Sequence, residues 1–176
     1  MWIYVILAVP LTVLGIGWMR KDYRERGHLG VPAFIALLVM FFLPHLALHD
    51  TFDYSIELRG ITWLGLALAV LGLALCVWGM VTFRSLGKVF TFDHGTLSTS
   101  GPYRWSRNPQ YVGWAVFFVG FAIMGSRAPV IPLGILVVVL HFTVLGEEEH
   151  LERVFGEDYR AFKRSVPRWV GLRGSG

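Results

Sequence analysis

The sequence predicts an all-α integral-membrane protein with five transmembrane helices and a C-terminal amphipathic helix. Three observations predict it. The 176 residues are 55% hydrophobic and only 16% charged, against about 25% charged in an ordinary soluble domain, and the mean hydropathy is +0.56. The apolar residues gather in blocks long enough to cross a bilayer. Of the 16 Lys and Arg residues, 14 fall on one side of the implied membrane.

Met1 to Met19 is an apolar run closed by Arg20-Lys21. At ~1.5 Å per residue it reaches about 28 Å, enough to cross the hydrocarbon core. Its positive charges follow it. A cleaved signal peptide wants them ahead, so an uncleaved first span is expected. Pro10 predicts a kink, which packing against neighbouring helices tolerates. A polar loop, Arg20 to Gly30, leads to a second apolar block, Val31 to Leu48. The next loop, His49 to Gly60, carries Asp50, Asp53 and Glu57. Ile61 to Val81 is the third span. Its Gly65, Gly72 and Gly79 recur every seven residues, so one face lets another helix approach closely.

Phe83 to Asn108 is the longest polar segment. Tyr111 to Gly125 and Ala128 to Leu145 are two further apolar blocks, joined by a connector that allows only a tight hairpin. The first of them reaches span length when counted from Pro109. Gly146 to Gly176 is a polar tail in which Leu151, Val154, Phe155, Tyr159 and Phe162 recur at helical spacing. This amphipathic helix suits the headgroup region, or a lid folded over the hairpin. Val166-Pro167 ends it. The chain reads as one membrane domain, with three N-terminal spans over residues 1–81 and a second half over 82–176.

The Lys and Arg asymmetry places the N-terminus outside and the C-terminus in the cytoplasm. The basic residues lie beside apolar spans, so the pI near 9.5 points to membrane lipids and not to nucleic acid. The lone Cys76 cannot form an intramolecular disulfide.

One stretch stands out for chemistry: Gly101-Pro102-Tyr103-Arg104-Trp105-Ser106-Arg107-Asn108-Pro109-Gln110-Tyr111-Val112-Gly113. Asn is a favoured N-cap and Pro a favoured first helical residue, so Asn108 is expected to cap a helix that starts at Pro109. The free N–H groups of that turn, with Arg104 and Arg107 beside them, form an anion site at the membrane surface. The alternative is a juxtamembrane loop whose arginines only fix topology. Glu147 to Glu149 form an acidic cluster, either ligand-binding or merely solvated at a helix end. His141 lies nearly two helical turns before Glu148 and shares its face. It lines a passage for a lipophilic substrate, or it is a neutral histidine bonded to a neighbouring helix. His45, His49, Asp50 and Asp53 lack a ligand pattern, so no metal is expected. No Gly-x-Gly-x-x-Gly follows a strand, and Gly87-Lys88 lacks the spacing of a phosphate loop.

The Gly101–Gly113 segment, followed after a hairpin by the run from Glu147 to Trp169, resembles the isoprenylcysteine carboxyl methyltransferase and phospholipid methyltransferase superfamily. The resemblance covers roughly His94 to Trp169. It implies an integral-membrane enzyme that moves a methyl group from S-adenosylmethionine to a lipophilic or lipid-linked acceptor. Gly101, Tyr103, Arg107, Pro109, Tyr111 and Gly113 match the first motif, and Glu147 and Glu148 the paired acids. His94, with Leu97 after it, holds the place of a histidine often found ahead of Gly-Pro-Tyr. Many relatives have His where this chain has Asn108, which can cap or hydrogen-bond but cannot act as a base.

The cofactor's carboxylate suits Arg104, Arg107 and the Asn108–Tyr111 turn. Its ribose hydroxyls or ammonium suit Glu147 and Glu148, and its adenosine suits Tyr103, Tyr111 and Phe155. The residues expected to carry catalysis are Arg107, Glu148 and His94. An isoprenylated cysteine carboxylate, a phospholipid amine and a small lipophilic thiol or amine all remain open as acceptors. A carboxylate needs no base, whereas an amine must lose a proton, to Glu148 or His94. Two alternatives stand beside this reading: a sterol-reductase-like enzyme that binds NADPH, and a non-catalytic membrane protein with a degenerate cofactor pocket.

Overall fold

The computed structural model describes residues 2–27, 30–36, 39, 60–82, 97–124 and 130–171. Among the described residues every regular element is helical. Helix α1 spans Trp2–Glu25 and α2 spans Gly60–Thr82. A 3-10 turn covers Gly101–Arg104, α3 spans Pro109–Met124 and α4 spans Val130–Ser165. Among the described residues one helix, α2, is long and apolar enough to cross a membrane, and α3 is a shorter apolar helix. The His45–Asp53 cluster, Gly87-Lys88, His94 and the hairpin connector lie outside the described residues.

The glycine repeat in α2 faces α3, as its spacing predicts. A β-carbon at Gly72 would lie 2.3 Å from the Phe117 nitrogen and 2.6 Å from the Gly113 oxygen. One at Gly65 would lie 2.7 Å from the Gly120 oxygen. The partner helix answers with its own pair at the same interval. Gly113 meets the Gly72 oxygen and Gly120 meets the Gly65 oxygen, so α2 and α3 run antiparallel in backbone contact. On its other side α2 exposes Trp63, Leu64, Val70, Leu71, Val77 and Trp78, a surface that suits lipid better than water.

Helix α4 packs on both α1 and α3. Its Leu136, Leu140 and Val144 pack on Tyr111 and Phe118 of α3. Its Val139 packs on Ile16, Met19 and Tyr23 of α1. Beyond the apolar part, Tyr23 stacks on His150 with ring centroids 4.3 Å apart, and Arg24 pairs with Glu149 at 2.8 Å. α4 stays helical through Glu147–Glu149 and breaks at Gly156, where φ is +54° and ψ is −121°. The acidic cluster is therefore mid-helix, not at a C-terminus where the dipole opposes it. After the break the tail folds back. Tyr159, Phe162 and Val166 join Tyr103, with Leu97, Leu151 and Phe155 packed against them. The apolar face of this segment packs on the Gly101–Arg104 turn, a protein surface other than the hairpin expected beneath a lid. Val154 stays exposed outside that cluster.

Candidate functional site

The site is built where the turn before α3 meets the middle of α4. Gly101 has φ +57°, a conformation that suits glycine. It lets the chain turn sharply, burying Pro102 and Tyr103. The Tyr103 hydroxyl donates to Gln110 Oε1. The Asn108 carbonyl accepts from the N–H groups of Tyr111 and Val112, both at 3.1 Å, and α3 starts at Pro109 as the sequence predicts. The Asn108 side chain also reaches beyond α3. Its Nδ2 donates to Glu148 Oε1 and to the Arg168 carbonyl, each at 3.2 Å. Both bonds use the amide's donor end and tie the turn before α3 to α4 and the tail.

Glu148 is 3% exposed. Arg168 Nε donates to both its oxygens at 3.1 Å, and Nη2 donates to Oε2 at 2.9 Å. Arg107 Nη1 lies 3.2 Å from Oε1. The Arg107 side chain is itself buried; its Nε finds no hydrogen-bond acceptor among the described residues, and its Nη1 meets Glu148 as an ion pair without hydrogen-bond geometry. Glu147, about 100° around the helix, points elsewhere. Its Oε1 accepts from the Tyr111 hydroxyl at 2.5 Å. The paired acids thus divide: one holds two arginines and an asparagine, the other holds α3.

The tail closes over this cluster. The Arg107 N–H donates to the Pro167 carbonyl at 3.0 Å, and the Gly171 N–H to the Trp105 carbonyl at 3.2 Å. Ser106 Oγ lies 3.5 Å from the Arg168 carbonyl and accepts from the Asn108 N–H at 3.1 Å. Trp169 comes within 6.3 Å of the His141 ring.

Of the residues expected to form a site, Tyr103, Arg107, Asn108, Pro109, Tyr111, Glu147 and Glu148 come together here. Gly101 shapes the turn, Gly113 lies at the α2 contact, and Leu97 packs on the Tyr103 cluster. Arg104 is exposed. His141 is half-buried beside Trp169. Sequence reasoning missed Arg168 and Ser106. The usable signal for Arg168 was chemical: a buried carboxylate calls for a buried or folded-back cation.

Glu147 lies two residues beyond the apolar block of α4. Burial pushes its carboxyl up to about 7; the Tyr111 hydrogen bond opposes this and the Glu148 charge adds to it. The raised value means the folded state holds a proton that the unfolded state has released. Stability from this group is therefore present below about pH 4.5 and is lost as pH rises to about 7. Melting temperatures of the wild type and Glu147→Gln, measured across that window, are expected to diverge in favour of the variant as pH rises. Parallel curves would refute the shift.

The family model described as phospholipid methyltransferase matches residues 61–158. The protein-S-isoprenylcysteine O-methyltransferase of Mus musculus is 36% identical over 120 residues, covering 63% of this chain and 42% of that protein. The protein of the same name from Xenopus laevis is 32% identical over 137 residues, covering 69% and 47%. Protein-S-isoprenylcysteine O-methyltransferase B of Arabidopsis thaliana is 31% identical over 113 residues, covering 60% and 57%. The chain spans less than half the length of the two animal relatives. No solved structure matches it. The matched segment runs from the first turn of α2 past the break in α4 and covers more than half of the chain. It includes every member of the Glu147–Glu148 cluster except Arg168. On that match, the chain belongs to the phospholipid methyltransferase family.

Proposed function

We propose that this chain is an integral-membrane methyltransferase that binds S-adenosylmethionine and methylates a lipophilic or lipid-linked acceptor. In this reading five spans cross the bilayer, the N-terminus is outside, and the C-terminus and site are cytoplasmic. One observation carries it. The fold joins the Arg107-Asn108-Pro109 turn to the paired acids, with Asn108 and Arg107 on Glu148 and Tyr111 on Glu147.

The residues present fit the cofactor. Beside its ion pair to Glu148, Arg107 keeps a buried Nε with no hydrogen-bond acceptor among the described residues, and a carboxylate is the group a guanidinium fork matches best. Glu147 has a second oxygen for an ammonium or a ribose hydroxyl. Phe155, half-buried at the edge of the Tyr103 cluster, offers ring surface to adenosine, while Tyr103 and Tyr111 are packed beneath it in the core. When bound, the cofactor supplies a methyl group on a sulfonium, open to direct attack. The protein then has to hold donor and acceptor in line, which alone is worth several kcal/mol of the barrier. Glu148 acts as a positioning residue, fixing Arg107 and Asn108 on one side and the Arg168 strap on the other.

An isoprenylcysteine-type carboxylate is the favoured acceptor. The relatives carry that substrate in their names, and a carboxylate needs no base. A phospholipid amine is the second reading, and the observation that favours it is Glu147. Its carboxyl titrates near neutrality, as suits a group that takes a proton.

The test is calorimetric titration of the detergent-purified chain with S-adenosylhomocysteine. Saturable binding is expected, with Arg107→Ala weakening it roughly tenfold to a hundredfold, the worth of one or two charged hydrogen bonds. A folded sample that fails to bind in detergent and in lipid would refute the reading. Binding of NADPH instead would favour a reductase.

A further inference from the structure

Helices α1 and α4 enclose a groove on the side of α4 away from the site. It is lined by Thr12, Ile16, Gly17 and Arg20 of α1 and by Val138 and Phe142 of α4, among others, and holds about 390 Å³. Two polar groups in it are unsatisfied. Thr12 is 6% exposed, and its hydroxyl has no hydrogen-bond partner among the described residues. Arg20 Nε is buried without a hydrogen-bond acceptor among the described residues, with Glu149 Oε2 3.8 Å away, while the side chain as a whole is 40% exposed. Glu149 is already taken by Arg24 at 2.8 Å.

We propose that this groove holds one acyl chain of an anionic phospholipid whose phosphate rests on Arg20. The proposal rests on the membrane placement above and not on methyl transfer. From Thr12 to Arg20 the helix rises ~12 Å, within one leaflet of a hydrocarbon core of ~30 Å. The walls are apolar except for Thr12 and the basic end, and a guanidinium suits a phosphate. Lys21 is adjacent and Arg24 lies one turn further on, so the basic end complements an anionic headgroup. In the proposed orientation that end meets the cytoplasmic leaflet, where anionic lipids concentrate.

The groove is separate from the acceptor's route. Its α4 residue Val139 packs on α1. Leu136, Leu140 and Val144 pack on Tyr111 and Phe118 across the helix, on the side where Glu147 meets Tyr111. A chain in the groove would have to pass through α4 to reach Glu147.

Native mass spectrometry of the full chain in detergent tests this, with phosphatidylglycerol and phosphatidylcholine of matched acyl chains. The wild type is expected to retain one phosphatidylglycerol about tenfold more tightly than phosphatidylcholine, and Arg20→Gln to erase that preference. Gly17→Leu adds a side chain where nothing lies within 4 Å, so it fills the groove without disturbing the packing. It is expected to expel the lipid, while inorganic phosphate does not compete. Equal retention of both lipids by the wild type overturns the proposal. So does a preference that survives Gly17→Leu, or competition by inorganic phosphate. Loss of S-adenosylhomocysteine binding with the lipid preference intact would remove only the methyltransferase reading. A chain that leaves the membrane without detergent would remove the membrane placement and this proposal with it.

Discussion

Replacing Glu148 with alanine is expected to cost about 3–5 kcal/mol of stability, the usual penalty for breaking a buried ion pair from one side. The carboxylate is 3% exposed, accepts from Arg168 and Asn108, and is ion-paired with Arg107. Removing it leaves two guanidinium groups facing each other with no counterion. It also releases the Pro167–Gly171 strap from the turn before α3. The melting temperature is expected to fall by on the order of 10 °C. S-adenosylhomocysteine binding should vanish, because Arg107 loses the group that orients it. Instability and lost binding are separated by the double variant Glu148→Ala/Arg168→Ala. Deleting the stranded Arg168 charge should recover part of the stability while binding stays absent. A single variant that melts within about 2 °C of the wild type would show that the cluster is not what holds the strap.

Some of this was legible in the sequence, and the boundary has physical causes. The start of α3 at Pro109 was legible because a proline's fixed φ and missing N–H leave few places for it in a helix. The inward face of α2 was legible because Gly65, Gly72 and Gly79 keep a fixed interval. Their partners were not, because Gly113 and Gly120 belong to a helix whose direction and register only packing decides. The paired acids were visible as a pair. Their division was not, since one residue of helical advance turns Glu147 to Tyr111 and Glu148 to the arginines. Arg168 was out of reach for a different reason. Its place depends on the chain reversing after Gly156, and a positive φ at one glycine leaves no periodic trace. The tail's apolar spacing fitted both a lipid surface and a protein surface, and only the contact with Tyr103 and Leu97 separates them. The five spans rest on composition and charge, since among the described residues α2 alone has the length and apolarity of a full span.

Gly72→Leu is expected to be the most damaging change outside the site. The first added carbon would stand 2.3 Å from the Phe117 nitrogen and 2.6 Å from the Gly113 oxygen. Both are backbone atoms of a helix, so no rotamer change relieves the clash and α3 must move as a body. Overpacking of this kind costs on the order of 3 kcal/mol. The displacement also reaches the site. α3 carries Tyr111 and follows directly on Asn108, and its Gln110 packs at Gly79 while accepting from Tyr103. Loss of S-adenosylhomocysteine binding should therefore accompany the loss of stability, although Gly72 lies in another helix and touches none of the polar groups. The control is Gly134→Leu in α4, where a β-carbon meets nothing within 4 Å. There the substitution trades a flexible residue for a good helix former and should be neutral or favourable by up to ~1 kcal/mol. Thermal melts of the two variants decide the matter: equal effects would mean that α2 and α3 are not held in backbone contact. A Gly72→Leu protein that melts early but binds normally would mean that the site does not depend on how α3 is seated against α2.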